Sequence, residues 1–242
     1  MEKIQNYING KFLSPIRGQY FDNYCPSTGK VYCQVPNSEQ QDINLAVDAA
    51  SNAYTIWSNL SKKDRYDHIM NLADVIEDHF DLLVKAESKD NGKPEWLAKS
   101  VDIPRVSENF RFFATASLHY DSEIHEMDGK ALNYTLRQSI GVAGCISPWN
   151  LPIYLLTWKI APALVMGNTV VAKPSEVTPM TAYLFGQICQ KAKFPNGVIN
   201  IVHGYGNIAG DALVRHPNVP IISFTGGTLT GEKIASVAAP MF

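Results

Sequence analysis

The chain has 242 residues, enough for one large or two small domains, and its 45% hydrophobic and 18% charged residues are the balance of a folded globular protein. A net charge of −2, with the positive charges scattered, supplies no field for nucleic acid or anionic membrane and excludes binding driven by one. The four cysteines (Cys25, Cys33, Cys145, Cys189) have no C-x-x-C spacing, so they read as reduced thiols of a reducing compartment and not as a disulfide framework or a zinc site.

The N-terminus, MEKIQNYINGKF, has neither an apolar signal region nor an Arg/Ser-rich presequence, and the expected location is the cytoplasm. Residues 4–36 read as short strands and turns, with Asn9-Gly10 as a hairpin signal and Cys25–Lys30 as a turn. Ser38 is expected to open the first helix, with Gln41 completing a capping box. Apolar residues from Ile43 to Trp57 then recur at helical spacing. Ser61 and Asp64 start a second helix whose face runs from Ile69 through Leu72, Ile76 and Phe80 to Leu83, and Asn91-Gly92 ends it. A third helical region, 95–118, is broken near Pro104, and its stripe Phe110, Phe112, Phe113 is expected in the core.

Composition shifts at His119. Residues 119–130 are polar, with a turn at Met127-Asp128-Gly129, and Leu132–Ile140 alternates as a strand does. From Gly141 the pattern is regular: strands at Gly141–Ser147, Thr169–Lys173, Val198–His203 and Pro220–Thr225, with helices near 154–166, 179–193 and 207–215 between them. Thr178 is the expected cap of the second of these helices, with Pro179 at its first position. Leu151–Met166 is too short to span a bilayer and is interrupted by Pro152, Lys159 and Pro162, so it reads as a buried helix. Strands alternating with single helices predict an α/β fold, a Rossmann-like parallel sheet with right-handed crossovers and flanking helices.

In such a sheet ligands bind beyond the carboxyl ends of the strands, where this chain places Asn150, Lys173 and Glu176. Lys173 and Glu176 read either as ligands of ribose hydroxyls or phosphate, or as a surface ion pair. Asn150 reads as a turn residue or as an amide donor to a developing oxyanion. Gly204-Tyr205-Gly206-Asn207-Ile208-Ala209 fits G-x-G-x-x-A after a strand, without the acidic residue expected about 20 positions later, so it reads as a tight turn or a pyrophosphate site. Phe224–Gly231 ends a strand and starts a helix, which suits a phosphate or an ordinary N-cap at Thr228. The six histidines show no metal-ligand spacing, no metal is expected, and Cys145 and Cys189 lie in apolar surroundings unsuited to a nucleophile.

SPWNLP, GNTVVAKPSEVTP, PNGVINIVHGYG and ISFTGGTLTG, with SKDNGK at 88–93 and NFRFFA at 109–114, occur in the order and spacing of the aldehyde dehydrogenases, and the chain resembles that family over essentially its whole length. DIPR at 102–105, NFRFFA and the early YCPSTGKVYCQVPNS resemble a cytosolic, NAD-dependent branch acting in tryptophan breakdown. The resemblance implies NAD as cofactor and a small aldehyde as substrate. It makes Asn150 part of the oxyanion hole and puts Ile146, Ser147, Pro148 and Trp149 along the cofactor channel. Lys173 and Glu176 would hold the adenosine ribose, Gly206 and Gly210 would border the adenine, and Phe224, Thr225, Gly226, Gly227 and Thr230 would shape the pyrophosphate and nicotinamide side. A carboxylate at Glu176 would repel a 2′-phosphate, which favours NAD over NADP. Gly227 stands where many relatives carry Ser, a loss of about 1 kcal/mol if one hydrogen bond to phosphate goes with it.

The family reading divides the chain into an N-terminal helical part of the NAD-binding domain (1–118), the start of an oligomerisation hairpin (119–140) and the Rossmann-like core (141–242). It implies that the general-base Glu and the nucleophilic Cys come later than residue 242, after a further strand of the sheet. The chain is thus expected to be the N-terminal half of an enzyme that is a dimer or tetramer when full length, and to be inactive alone. The alternative is a non-catalytic isoform that binds nucleotide or pairs with full-length subunits.

Overall fold

The apolar runs after Gly141 form the centre of the molecule. The computed structural model describes residues 2–241; Met1 and Phe242, the outermost residues of the assigned parts, lie outside the described residues. In chain order the strands and helices are β1 (Glu2–Lys3), β2 (Asn6–Ile8), β3 (Lys11–Leu13), β4 (Tyr20–Cys25), β5 (Lys30–Pro36), α1 (Gln40–Asn59), α2 (Lys62–Asp78), α3 (Phe80–Asn91), α4 (Glu95–Leu97), α5 (Pro104–Leu118), β6 (Ile124–Met127), β7 (Ala131–Tyr134), β8 (Val142–Ile146), α6 (Pro152–Val165), β9 (Thr169–Lys173), α7 (Met180–Lys191), β10 (Ile199–Ile201), α8 (Asp211–Val214), β11 (Ile221–Phe224) and α9 (Thr228–Ala238). Two π-helical turns, Ala98–Asp102 and Gly206–Gly210, precede α5 and α8.

The main sheet has six strands in the order β11-β8-β9-β10-β2-β3. The four strands of the α/β region are parallel, as the alternation predicts. The sheet as a whole is mixed, because β2 joins β10 antiparallel and β3 folds back on β2. Asn9 (φ 50) and Gly10 (φ 75) both adopt the left-handed conformation of a two-residue hairpin turn, which forces antiparallel pairing. The Asn9 amide donates to Asn200 Oδ1 at 2.9 Å, which ties the hairpin to β10. A strand's partner 190 residues away leaves no local signal, so only the turn was readable.

Strands β8 and β9 are buried along their whole length, as strands covered on both faces must be. Their side chains alternate between two cores. Ala143, Cys145, Val170 and Ala172 pack with the α2, α5, α6 and α7 layer, while Val142, Ile146 and Val171 pack with α1 and α8. Trp57 is fully buried in the first core, and its indole N–H donates to the Leu164 carbonyl at 3.0 Å. Trp57→Ala should therefore cost roughly 3–5 kcal/mol in urea unfolding; a loss under 1 kcal/mol would refute the packing described.

Several local expectations are corrected. Ser38 does not cap α1, because its hydroxyl accepts from Asn6 Nδ2 at 2.8 Å. The cap is Glu39, whose amide donates to Asp42 Oδ2 at 3.0 Å, so Asp42 takes the role expected of Gln41. The second helix is two helices. His79 (φ −107, ψ 16) lies 2.7 Å through Nδ1 from the Val75 carbonyl, the acceptor that its own amide would use in a continuous helix. Phe112 is 66% exposed, because two residues from the buried Phe110 is the far side of a helix. The strand expected at 132–140 stops at Tyr134. Ser139 is bound by the Tyr54 hydroxyl, and the Ile140 amide donates to Asn168 Oδ1, so side chains satisfy this backbone in place of a ladder. Pro179, not Thr178, precedes α7, whose first amide, Met180 N–H, donates to Asp90 Oδ2 at 2.8 Å. Gly227, not Thr228, is the N-cap of α9.

Candidate functional site

The carboxyl ends of β8, β9 and β11 present Ile146, Lys173 and Phe224 along one edge of the sheet. Lys173 follows four buried residues of β9 and is itself almost wholly buried. Its ammonium meets the Glu176 carboxylate at 2.8 Å. Burial pushes the Lys173 pKa down against the pull of Glu176. At Glu176 burial works upward, but Lys173 and the backbone amides of Glu176 and Gly206 together hold the carboxyl below the usual range. Charge separation is therefore kept in a site that water only partly reaches.

A cavity of about 460 Å³ opens beside this pair, between the Gly206–Val214 segment and α9. Ile146, Glu176, Gly206, Gly210, Phe224 and Thr230 line it, six of the residues singled out from the sequence. The glycines have different uses. A Cβ on Gly206 would sit 3.9 Å from Glu176 Oε1 and 4.0 Å from Lys173 Nζ, in the space a ligand on that pair would occupy. A Cβ on Gly210 would meet nothing within 4 Å. A Cβ on Gly226 would run into the Phe224 ring at 2.4 Å, so Gly226 lets that ring fold back over its own turn. Gly227 has open space around it and starts α9 with unhindered backbone amides.

The other residues assigned to a cofactor lie around this cavity or beyond it. The Thr225 hydroxyl accepts from Lys159 Nζ, a largely buried lysine of α6. Ser147 is buried with no partner for its hydroxyl among the described residues, and Pro148 is half-buried. Trp149 is 59% exposed and lines a second hollow, of about 500 Å³, that it shares with Glu176 and Tyr205. Asn150 is exposed and lines neither hollow; its carbonyl accepts from Lys93. Sequence reading missed Asn207, Asp211 and Val214 on one wall, and Lys233, Ile234 and Val237 on the other. The spacing of Thr230, Ile234 and Val237 along α9 was the available signal, since positions three and four apart share a helix face.

The buried thiols are unsuited to nucleophilic work: burial pushes Cys145 up to about 12 and moves Cys189 the same way. Among the described residues no group of three or more His, Cys, Asp or Glu is placed to hold a metal ion. No helix among them is long and apolar enough to cross a membrane. The edge thus carries an open cavity with a cation–carboxylate pair beside it, glycines on its wall and a helix start.

The cavity lies beyond the carboxyl ends of the strands, the edge at which open α/β sheets bind ligands. The sequence pattern described as the aldehyde dehydrogenase family matches residues 13–242, and the chain belongs to that family. It is 53% identical over 238 residues to 2-aminomuconic semialdehyde dehydrogenase of Danio rerio and 52% identical to that of Homo sapiens, covering 98% of this chain and 48% of each relative. The structure of an NAD+ complex of aldehyde dehydrogenase from Bacillus cereus superposes with a TM-score of 0.96 at 38% identity, covering 99% of this chain and 49% of that one. The chain spans about half the length of the relatives it matches.

Proposed function

We propose that this chain is the NAD-binding part of an aldehyde dehydrogenase that converts an aldehyde, NAD+ and water into a carboxylic acid, NADH and a proton. The observation that carries this is the Lys173–Glu176 pair beside Gly206, with Glu176 and Gly206 on the wall of an open cavity. Glu176 has the acceptor geometry for two ribose hydroxyls, and Lys173 donates beside it. Its negative charge sets the preference for NAD over NADP, because a 2′-phosphate would meet a carboxylate. Gly206 and Gly210 leave room for the adenine, and the start of α9 at Gly226, Gly227 and Thr230 suits the pyrophosphate. Ile146, Ser147, Pro148, Trp149, Phe224 and Thr225 flank the path toward the nicotinamide. NAD, when bound, accepts the hydride removed from the substrate carbon.

Asn150 is the oxyanion donor in this reading, its side-chain amide hydrogen-bonding the substrate oxygen as charge develops there. The thiolate nucleophile and the general base that the reaction also needs are assigned to no residue of 1–242. The substrate class follows the names of the vertebrate relatives: a small semialdehyde such as 2-aminomuconic semialdehyde, in tryptophan catabolism. The division at residues 118 and 140, a cytoplasmic location and homo-oligomers formed through the wholly exposed hairpin β6–β7 belong to the same proposal. That exposed hairpin also favours the second reading, a nucleotide-binding chain that pairs with longer subunits.

The test is a titration of the purified chain with NAD and with NADP, read by melting temperature. NAD should raise it by several degrees at concentrations where NADP raises it little, and no NADH should form from added aldehyde. An unchanged melting temperature at millimolar NAD would defeat the proposal.

A further inference from the structure

Asn150 sits on an exposed segment, yet a catalytic amide must be held in place. The turn after α3 touches that segment twice. Asn91 Nδ2 donates to the Trp149 carbonyl at 2.7 Å, and Lys93 Nζ donates to the Asn150 carbonyl at 3.0 Å. Those two carbonyls belong to the peptide planes on either side of the Asn150 Cα. Because each plane is rigid, holding both restrains the Asn150 backbone dihedrals and so the Cα–Cβ direction from which its side chain projects.

The turn is itself braced. Gly92 ends α3 in the left-handed conformation (φ 84), its amide donates to the Ser88 carbonyl at 2.9 Å, and the Ser88 hydroxyl donates to the Lys93 carbonyl at 2.7 Å. Lys93 is also anchored from behind. Its ammonium meets Glu87 Oε1 at 3.4 Å and, more closely, Asp102 Oδ2, and both carboxylates are buried. Glu87 Oε2 and Asp102 Oδ1 have no hydrogen-bond partner among the described residues, and burial pushes the Glu87 carboxyl up to about 7 against the pull of Lys93. Two buried carboxylates around one lysine are poor value for stability alone. They make sense if the lysine must stay ordered and aimed outward at one carbonyl.

We infer that Asn91 and Lys93, backed by Glu87 and Asp102, are positioning residues that clamp the Trp149–Asn150 backbone and orient the Asn150 amide. The inference deepens the proposed function and rests on its assignment of Asn150 as oxyanion donor.

The test is ¹⁵N relaxation on the 242-residue chain. Rigid backbone gives order parameters near about 0.85, and flexible backbone below about 0.6. In Asn91→Ala and Lys93→Met the values at Trp149 and Asn150 should fall from the first range toward the second. They should stay unchanged in β8, β9 and β10, and Lys93→Arg should keep them high. Folded variants with unchanged values at 149–150, or a loss spread through the chain, would overturn the clamp. If Lys93→Met fails to fold, Asn91→Ala decides, because it leaves the buried charges paired. The NAD titration is independent of this measurement. A chain that binds no NAD but loosens at 149–150 keeps the clamp and loses the dehydrogenase reading; the opposite result does the reverse.

Discussion

Replacing Lys173 with methionine is expected to weaken NAD binding about 10- to 100-fold while leaving the fold intact. Methionine keeps most of the buried stem of the side chain, so packing in β9 is preserved. Removing the charge also removes a desolvation cost. Because burial lowers the Lys173 pKa in the folded state, the protonated lysine opposes folding at every pH at which both states are charged. But the variant also leaves the partly buried Glu176 carboxylate without its cation, so it should unfold at a slightly lower urea concentration than the parent chain. Binding responds differently. Hydrogen bonds from a charged group are worth about 1.5–3 kcal/mol, so the Kd for NAD should rise about 10- to 100-fold. At a ligand concentration 100 times the parent Kd, the stabilisation by NAD would fall from about 2.7 kcal/mol to about 0.4 kcal/mol at the upper end of that range. Calorimetric titration of both chains checks this directly, and equal affinities would remove Lys173 from the site. Acid should have a related effect. Glu176 has a lowered folded pKa, so the stability it contributes is present above the ordinary carboxylate range and is lost as pH falls through the folded value. NAD affinity should weaken over the same acid range, as the ribose acceptor becomes protonated.

The second large effect separates two glycines that stand two residues apart. Gly204→Ala should destabilise the chain by about 2–4 kcal/mol in chemical unfolding. Gly204 has φ +151, a region side chains rarely adopt, and a Cβ there would lie 2.9 Å from the Ala209 Cβ and 3.0 Å from the Ser38 carbonyl oxygen. The Ser38 backbone cannot yield easily, since Ser38 is buried and bound by Asn6. Gly206→Ala should leave stability within about 0.5 kcal/mol, because its Cβ would meet only Glu176 and Lys173 atoms at ordinary contact distance. That same methyl would stand in the proposed ribose and adenine space and weaken NAD binding about tenfold or more. Stability measured by urea and affinity measured by titration thus separate the two roles. If Gly206→Ala unfolded the protein, or left NAD affinity unchanged, the account of this loop would fail.

The G-x-G-x-x-A match shows what a motif can and cannot say. Its spacing located a strand-to-helix turn at the sheet edge, and the structure puts Gly206 and Gly210 on the cavity wall there. It did not reveal that Gly204 is needed for backbone geometry alone. That depends on Ser38, which is 166 positions away in the sequence. The Asn150 environment is a similar case. SPWN was visible as a polar break after an apolar strand, whereas the two donors that hold its carbonyls come from a turn nearly 60 residues earlier.

Local sequence by itself determined the parallel core, because the apolar runs of β8–β11 and the helices between them carry their own periodicity and punctuation. It determined the Asn9-Gly10 hairpin, the end of α3 at Gly92 and the Lys173–Glu176 pair for the same reason: each is set by neighbours a few residues apart. Tertiary structure alone decided that the hairpin extends the sheet, that Asp90 serves the helix start assigned to Thr178, and that α9 supplies the far wall of the cavity. In each case a polar or apolar group is satisfied by a partner that chain order does not bring near. Burial makes that partner obligatory, because an unpaired group inside the protein costs more than a local preference can repay.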